Sequence, residues 1–339
     1  MSETPHGGPT HGGPDAGLEI RLDFSTNAHP LGANPRVRSA VEKCDRTRYP
    51  DPSYARLRAL LGAFHNVVPQ RIVVGGSASE LIWRLTHAGK LGGATDVITD
   101  ERTFGEYRRA ALGIGLAVAS TAAAWRTSSA ALHWLCDPDS PSGEPRDEAV
   151  RGALPAATGR VSDLVIVDLA YQPFRALMTE SGEYPGLLST AWADDVVQLW
   201  SPNKLHGLTG VRGAYLVLPV RAHPLAECAA LCALAPSWVL GADGVAMLQA
   251  HADPKSILHL RRGAPKLNIW KSTLDRLLTD AGWERQPSPL HYGLFRPPLE
   301  TPGFPGWFDY LRMHGIKVRD ATSFGRPGWV RLRACAPVR

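Results

Sequence analysis

The sequence predicts an α/β protein: a large domain with a mostly parallel sheet, followed by a smaller α+β domain. Three observations carry this. Short apolar runs alternate with helical stretches from Arg71 to Pro219. Several of those runs are apolar without alternation, as expected of strands covered on both faces. From about Ala222 the pattern changes to long helical stretches and then one short strand candidate.

Residues 1–18 hold HGGP twice, at His6–Pro9 and His11–Pro14, and this Gly/Pro content predicts a tail that stays unstructured until it docks. From Asp51, DPSYARLRALLGAFH predicts a helix, with Pro52 near its start and Leu57, Leu60, Leu61 and Phe64 at i, i+3, i+4 and i+7. Strands are predicted at 71–76 (RIVVGG), 96–101 (DVITDE), 116–121 (LAVAST), 131–138 (ALHWLCDP), 164–171 (LVIVDLAY), 196–202 (VVQLWSP) and 213–219 (GAYLVLP). The late strand candidate is GWVRLRAC, 328–335, in a small domain that the N-terminal segment is expected to join. The expected boundaries are an N-terminal segment over 1–44, a large domain over 45–222 and a small one over 223–339.

The 339 residues, 44% hydrophobic and 20% charged, suffice for a sizeable core and more than one domain. No run of about 18 apolar residues occurs. The N-terminus lacks the basic start and apolar stretch of a secretory signal, so the expected location is cytoplasmic. Five scattered cysteines (Cys44, Cys136, Cys228, Cys232, Cys335) form no disulfide framework and no CxxC pair. Cys228 and Cys232, at i and i+4 in an apolar stretch, are expected to pack within a helix, and no metal site is expected. The net charge of +5 is spread along the chain, without a basic run interleaved with aromatics. That argues against a nucleic-acid surface and suits an enzyme with anionic ligands.

Ligands of open α/β sheets bind beyond the carboxyl ends of the strands, and three such ends carry polar residues. In GGSASELIWRL a strand ends at Gly75–Gly76 and a helix follows at once. Its free N–H groups around Ser77, Ala78 and Ser79 suit a phosphate, although Ser77 or Ser79 serving as an N-cap explains the motif equally well. LVIVDLAY ends in Asp168, with Tyr171 three residues on. That acid is either a cap or a carboxylate that keeps a heterocyclic ring nitrogen protonated. SPNKLHGLTGVRGAY holds Ser201, Lys204 and Arg212. A strand-end lysine is ordinarily solvated, but one enclosed among cations has a lowered pKa and suits Schiff-base formation.

These three segments, in this order, resemble the PLP-dependent fold type I enzymes of the class I/II aminotransferase family, with histidinol-phosphate aminotransferase and L-threonine-O-3-phosphate decarboxylase as the nearest branches. The likeness runs from about Asp23 to Cys335. It implies pyridoxal 5′-phosphate as cofactor and a residue-by-residue assignment. Asn27, in LDFSTNAHPLG, becomes a substrate contact, and Tyr49, in RYPDP, reaches the cofactor phosphate of the other subunit of a homodimer. Ala78 and Ser79 present backbone amides to the phosphate, joined by Ser201 and Arg212. Phe104, in TFGEY, stacks on the pyridine ring, while Asp168 and Tyr171 partner its nitrogen and phenolic oxygen. Lys204 is the Schiff-base lysine, and Arg331 in GWVRLRAC clamps the substrate α-carboxylate.

Two departures stand out. Ser140-Pro141-Ser142-Gly143 replaces the usual Asn-Pro-Thr-Gly, leaving Ser140 where an asparagine meets the phenolic oxygen, and Asn203 replaces a small hydroxyl residue before the lysine. The leading expectation is an aminotransferase whose amino acid substrate carries a phosphate or other anion. The N-terminal HGG and the stretch VRDATSFGRPGWVRL favour the decarboxylase branch instead, with Arg319 as a contact for a substrate phosphate. A catalytically silent PLP-fold binding protein is the alternative of another class, opposed by intact Lys204, Asp168 and Arg212.

Overall fold

The computed structural model describes residues 12–15, 17–120, 131–146, 149, 164–179, 192–220, 224–298 and 306–336. The first elements are the two-residue strand β1 (Leu22–Asp23) and helix α1 (Pro35–Lys43), capped by Asn34, whose side chain accepts from the Arg36 N–H. Helix α2 (Ala55–His65) starts later than the sequence pattern implies. The Asp51 carboxylate instead closes a turn, accepting from the N–H groups of Ser53 and Ala55. Leu57 and Leu61 are buried but Leu60 is 38% exposed, so the buried stripe is narrower than expected.

Next come β2 (Ile72–Gly75), α3 (Ala78–Leu91), β3 (Asp96–Ile98), α4 (Glu106–Gly113), β4 (Ala117–Ala119), β5 (Ala131–Cys136), β6 (Val165–Asp168), α5 (Gln172–Met178), β7 (Val197–Trp200) and β8 (Ala214–Val217). Each of the seven expected strands is found, trimmed at its ends, in one sheet of order β2-β8-β7-β6-β5-β3-β4. Strands β4, β3, β5, β6 and β7 are parallel neighbours, while β8 lies antiparallel between β7 and β2. A parallel return needs a crossover element. The β7–β8 link contains no helix, so β8 has to run back beside β7. That link carries Lys204.

Strands β5 to β8 are buried at every position, which explains their apolar composition. One face packs on Leu81, Ile82 and Leu85 of α3 and Tyr107 and Ala110 of α4. The other packs on Val37 of α1, Leu57 and Leu61 of α2, and Met247 and Leu248. Each of the fully buried Leu, Ile, Val and Met side chains contributes about 1.5–3 kcal/mol, which holds the strand ends and the links beyond them in place.

The remainder comprises α6 (Pro224–Ala233), α7 (Ala242–His251), the long α8 (Pro254–Asp280), β9 (Glu284–Arg285), β10 (Tyr292–Arg296), α9 (Trp307–Met313), β11 (Ile316–Lys317), β12 (Arg319–Asp320) and β13 (Val330–Arg333). A four-stranded antiparallel sheet, β12-β13-β10-β9, is larger than the single strand expected there. Strand β10 is hard to read because its five residues lie between the Pro-bearing stretches QPSP and RPP. The N-terminal strand β1 pairs in parallel with β11. No described helix is long and apolar enough to cross a membrane, and the described residues hold no cluster suited to a metal ion. Cys44, Cys136, Cys232 and Cys335 are free thiols. The first HGGP repeat, His11 and the Cys228 side chain lie outside the described residues.

Candidate active site

The ends of β2, β5, β6 and β7 meet the β12–β13 edge around a cavity of about 470 Å³. Asn27, Ala78, Ser79, Phe104, Ser140, Asp168, Tyr171, Ser201, Lys204, Arg212, Arg319 and Arg331 all line it. Tyr49 does not. It is 76% exposed and stacks on Trp238, with ring centroids 4.3 Å apart.

Asp168 ends β6 and is buried. Its carboxylate accepts from the Tyr107 hydroxyl at 2.9 Å and from the Ala170 N–H at 3.0 Å. Burial raises its pKa above the usual carboxylate value, and the nearby Lys204 charge pulls it back down. Such a carboxylate is best served by a cation in the cavity. Tyr107 backs Asp168 from outside the cavity lining, a contact that the sequence did not single out. Burial and the Asp168 charge push its hydroxyl well above the usual phenol value, so it remains a donor, and its ring stacks on Trp134 at 4.9 Å. The available signal was its place in TFGEY, one helical turn beyond Phe104.

The Tyr171 hydroxyl accepts from Asn27 Nδ2 at 3.1 Å, and Lys204 Nζ lies 5.2 Å from the Tyr171 ring centroid. Lys204 is half-buried, and its backbone is held on both sides. Its N–H donates to Asn203 Oδ1 at 2.9 Å, and its carbonyl accepts from the His29 N–H at 2.9 Å. Asn203 Oδ1 also accepts from the Ser201 hydroxyl at 3.1 Å. The departure at 203 therefore supplies a side-chain cap for the turn that carries the lysine.

At the start of α3, Ser77 is the N-cap, its hydroxyl accepting from the Glu80 N–H at 3.0 Å. The N–H groups of Ala78 and Ser79, residues that line the cavity, have no partner among the described residues, and neither does the Arg212 guanidinium. A helix N-terminus, free amides and a free guanidinium together suit a phosphate group.

On the opposite wall, Arg319 and Arg331 are directly paired across β12 and β13. Both are buried. Arg331 donates to the Ser25 carbonyl at 2.9 Å and to Ser140 Oγ at 3.4 Å, and its Nε is orphaned. Ser140 thus partners the arginine. Arg319 donates to Ser323 Oγ at 2.8 Å and lies 4.7 Å over the Phe324 ring. Burial and the Arg331 charge pull the Arg319 guanidinium down to about 10, against a smaller upward pull from the Asp320 charge. No carboxylate among the described residues lies within ion-pair distance of either. Like charges placed directly opposite destabilise a sheet, so this arrangement calls for an anion. Asn27 Oδ1, also at the cavity, is another buried atom without a partner.

Gly12, Gly13 and Pro14 form part of the wall, so this part of the tail is docked. The Gly13 N–H donates to Ser25 Oγ at 3.0 Å, and Asp15 is ion-paired with Arg312 at 2.7 Å and Lys317 at 2.6 Å.

A lysine on a strand link, a carboxylate at a buried strand end and an anion cradle at a helix start are parts that a pyridoxal-phosphate-dependent enzyme of transaminase type requires. The chain belongs to the class I and II aminotransferase family, whose model matches residues 19–338. It is similar to the histidinol-phosphate aminotransferase of Lactiplantibacillus plantarum, 26% identical over 336 residues that cover 94% of this chain and 88% of that one. The enzyme of the same name from Paracoccus denitrificans is likewise 26% identical, covering 94% and 86%. Among solved structures, histidinol-phosphate aminotransferase from Sinorhizobium meliloti in complex with pyridoxal-5′-phosphate has a TM-score of 0.76 at 20% identity, covering 94% of this chain and 87% of that one. L-threonine-O-3-phosphate decarboxylase from Porphyromonas gingivalis has a TM-score of 0.74 at 21% identity, covering 93% and 95%. At such identities the structural likeness shows the fold.

Proposed function

We propose that this protein transaminates an amino acid bearing a second anionic group, for which a phosphate is the best fit, and that Lys204 is the lysine that binds the cofactor. The carrying observation is the buried, directly opposed pair Arg319 and Arg331, without a carboxylate partner among the described residues. One guanidinium takes the substrate α-carboxylate and the other takes the distal anion. The resemblance gives Arg331 the first task, for which a guanidinium's planar fork is suited.

The cavity fits pyridoxal 5′-phosphate. The unpartnered amides of Ala78 and Ser79 with Ser201 and Arg212 would hold the phosphate, Phe104 would stack on the ring, and buried Asp168 would balance a protonated ring nitrogen. Tyr171, steadied by Asn27, would face the phenolic oxygen. When bound, the cofactor supplies an electron sink for the bond broken at the substrate α-carbon. Lys204 Nζ then takes and returns the proton at that carbon, and the docked Gly12–Pro14 segment limits access of water. The chain would act as a cytoplasmic homodimer in which exposed Tyr49 reaches the partner's site. Residues 45–222 would form the cofactor-binding unit, with 1–44 and 223–339 closing over it.

Phosphoamino acids and their unphosphorylated counterparts, given to cofactor-loaded protein, test this. Keto-acid formation that prefers the phosphorylated member is expected. The docked tail and Arg319 favour a second reading, in which carbon dioxide leaves instead. Carbon dioxide release without keto acid selects that reading, and absence of any turnover selects the silent binder. Lys204→Ala is expected to remove the visible absorption band; a surviving band overturns the lysine assignment.

A further inference from the structure

Beneath the turn that carries Lys204, outside the cavity, buried side chains form one continuous hydrogen-bonded chain. His206 Nε2 lies 3.0 Å from His251 Nδ1, and His251 Nε2 lies 3.4 Å from the Tyr215 hydroxyl. That hydroxyl is 2.9 Å from His65 Nε2. At the other end Asn34 Nδ2 is 3.3 Å from His206 Nδ1. None of the five residues is more than 5% exposed.

Asn34 gives this chain a direction. Its Oδ1 accepts from the Arg36 N–H at 3.1 Å, and its Nδ2 donates to the Ser256 carbonyl at 3.0 Å. Turning the amide over would set oxygen against oxygen and N–H against N–H. The second Nδ2 hydrogen therefore points at His206 Nδ1, which must accept. A neutral imidazole has one donor and one acceptor, so His206 donates from Nε2 to His251 Nδ1. His251 in turn donates from Nε2 to Tyr215. Burial keeps the rings neutral, lowering His206 to about 3 and His251 well below its ordinary value. Apolar packing alone would not require five polar groups matched in this order.

We infer that this chain, through His206, is the positioning device for Lys204. The inference rests on Lys204 being the cofactor lysine. His206 is two residues from Lys204 in the same turn, and its backbone is tied as well. The Asn34 N–H donates to the His206 carbonyl at 2.9 Å, and the His206 N–H donates to the Pro202 carbonyl at 3.1 Å. Gly207, at φ +63°, presses the turn so close to Gly32 that a Cβ there would stand 2.5 Å from the Gly32 carbonyl oxygen. The turn is thus clamped to the segment before α1, while the side-chain chain ties it to α7 (His251), β8 (Tyr215) and α2 (His65). A shift of His206 is passed to Lys204, and misplacing a reacting group by about 1 Å costs on the order of a hundredfold in rate.

Two measurements test this. In apoprotein with ¹⁵N-labelled histidine at pH 7.5, His206 and His251 are expected to carry their proton on Nε2. An Nδ1–H ring or an imidazolium at either position overturns the chain. In the cofactor-loaded enzyme, His206→Phe keeps a planar, somewhat larger ring and removes both links. At least a tenfold drop in kcat is expected, with KM within twofold, together with a changed pH response of the visible band. Lower thermal stability with kcat and the band unchanged overturns the positioning role. Should that variant fail to fold, Tyr215→Phe removes one oxygen farther along the chain, and a kcat lowered about threefold is expected; no change overturns the role. A band that persists in Lys204→Ala sinks the lysine assignment by itself and leaves the histidine tautomers as measured.

Discussion

Arg319→Met isolates the cost and the use of the second guanidinium. Methionine keeps an unbranched stem that lies over Phe324 and drops the charge. In the folded protein the Arg319 guanidinium stands at about 10 rather than 12.5. That places a penalty on the order of 3 kcal/mol on keeping the cation where it is. Because the native pKa is the lowered one, the penalty is fully present below about pH 10. It is relieved only as the pH rises through that value, so an assay at pH 7.5 reads all of it. Against this, the substitution gives up the bond to Ser323 and the contact with Phe324, each about 1 kcal/mol. The apoprotein is therefore expected to keep its Tm or gain about one to two degrees. With substrate the sign reverses. A charge-assisted hydrogen bond is worth about 1.5–3 kcal/mol, so kcat/KM for a phosphorylated amino acid is expected to fall about 10- to 150-fold. The unphosphorylated counterpart should change by less than about threefold. Thermal melts of the apoprotein and steady-state kinetics on the substrate pair measure both. A Tm lowered by several degrees, or an equal loss on both substrates, rules out this role for Arg319.

Three further outcomes follow from the geometry. Tyr107→Phe deletes the donor to Asp168; kcat should fall about tenfold, since a hydrogen bond to a charged group is worth on the order of 1.5–3 kcal/mol, and an unchanged kcat and visible spectrum would dismiss the role of Tyr107. Gly12→Ala places a Cβ 2.2 Å from the Ser25 carbonyl oxygen, so the tail should lift and KM should rise about tenfold; unaltered kinetics would show that the tail does not bear on the site. Asp168→Asn probes the raised carboxylate pKa. In the apoprotein its charge costs stability once the pH has passed the raised native value, and that cost vanishes below the unfolded value of 3.8. The Tm of Asp168→Asn relative to wild type should then be more favourable at pH 8 than at pH 4, and a pH-independent difference would count against a destabilised carboxylate.

Much of the site could be read from the chain because its residues follow strand ends in sequence. Asp168 closes VIVD, Ala78 and Ser79 open the helix after IVVG, and Lys204 follows VQLW. Apolar runs reveal buried strands, and a parallel sheet directs its carboxyl ends to one side, so these residues converge without knowledge of any long-range contact. Leu60 shows the limit of that reading. It fits the helical period of α2, yet which part of an apolar stripe is covered depends on what packs against it.

The element order, the largely parallel sheet and the group of residues at its carboxyl edge are legible in the chain alone, since periodicity and chain adjacency are local properties. Long-range packing set the direction of β8, the Tyr107 hydroxyl on a carboxylate 61 residues away, the opposition of Arg319 and Arg331, and the line of imidazoles running from Asn34 to His65. Those features arise where separate strands and helices are pressed together with water excluded. There each donor must find an acceptor, and that match depends on register and packing, which no local pattern of residues encodes.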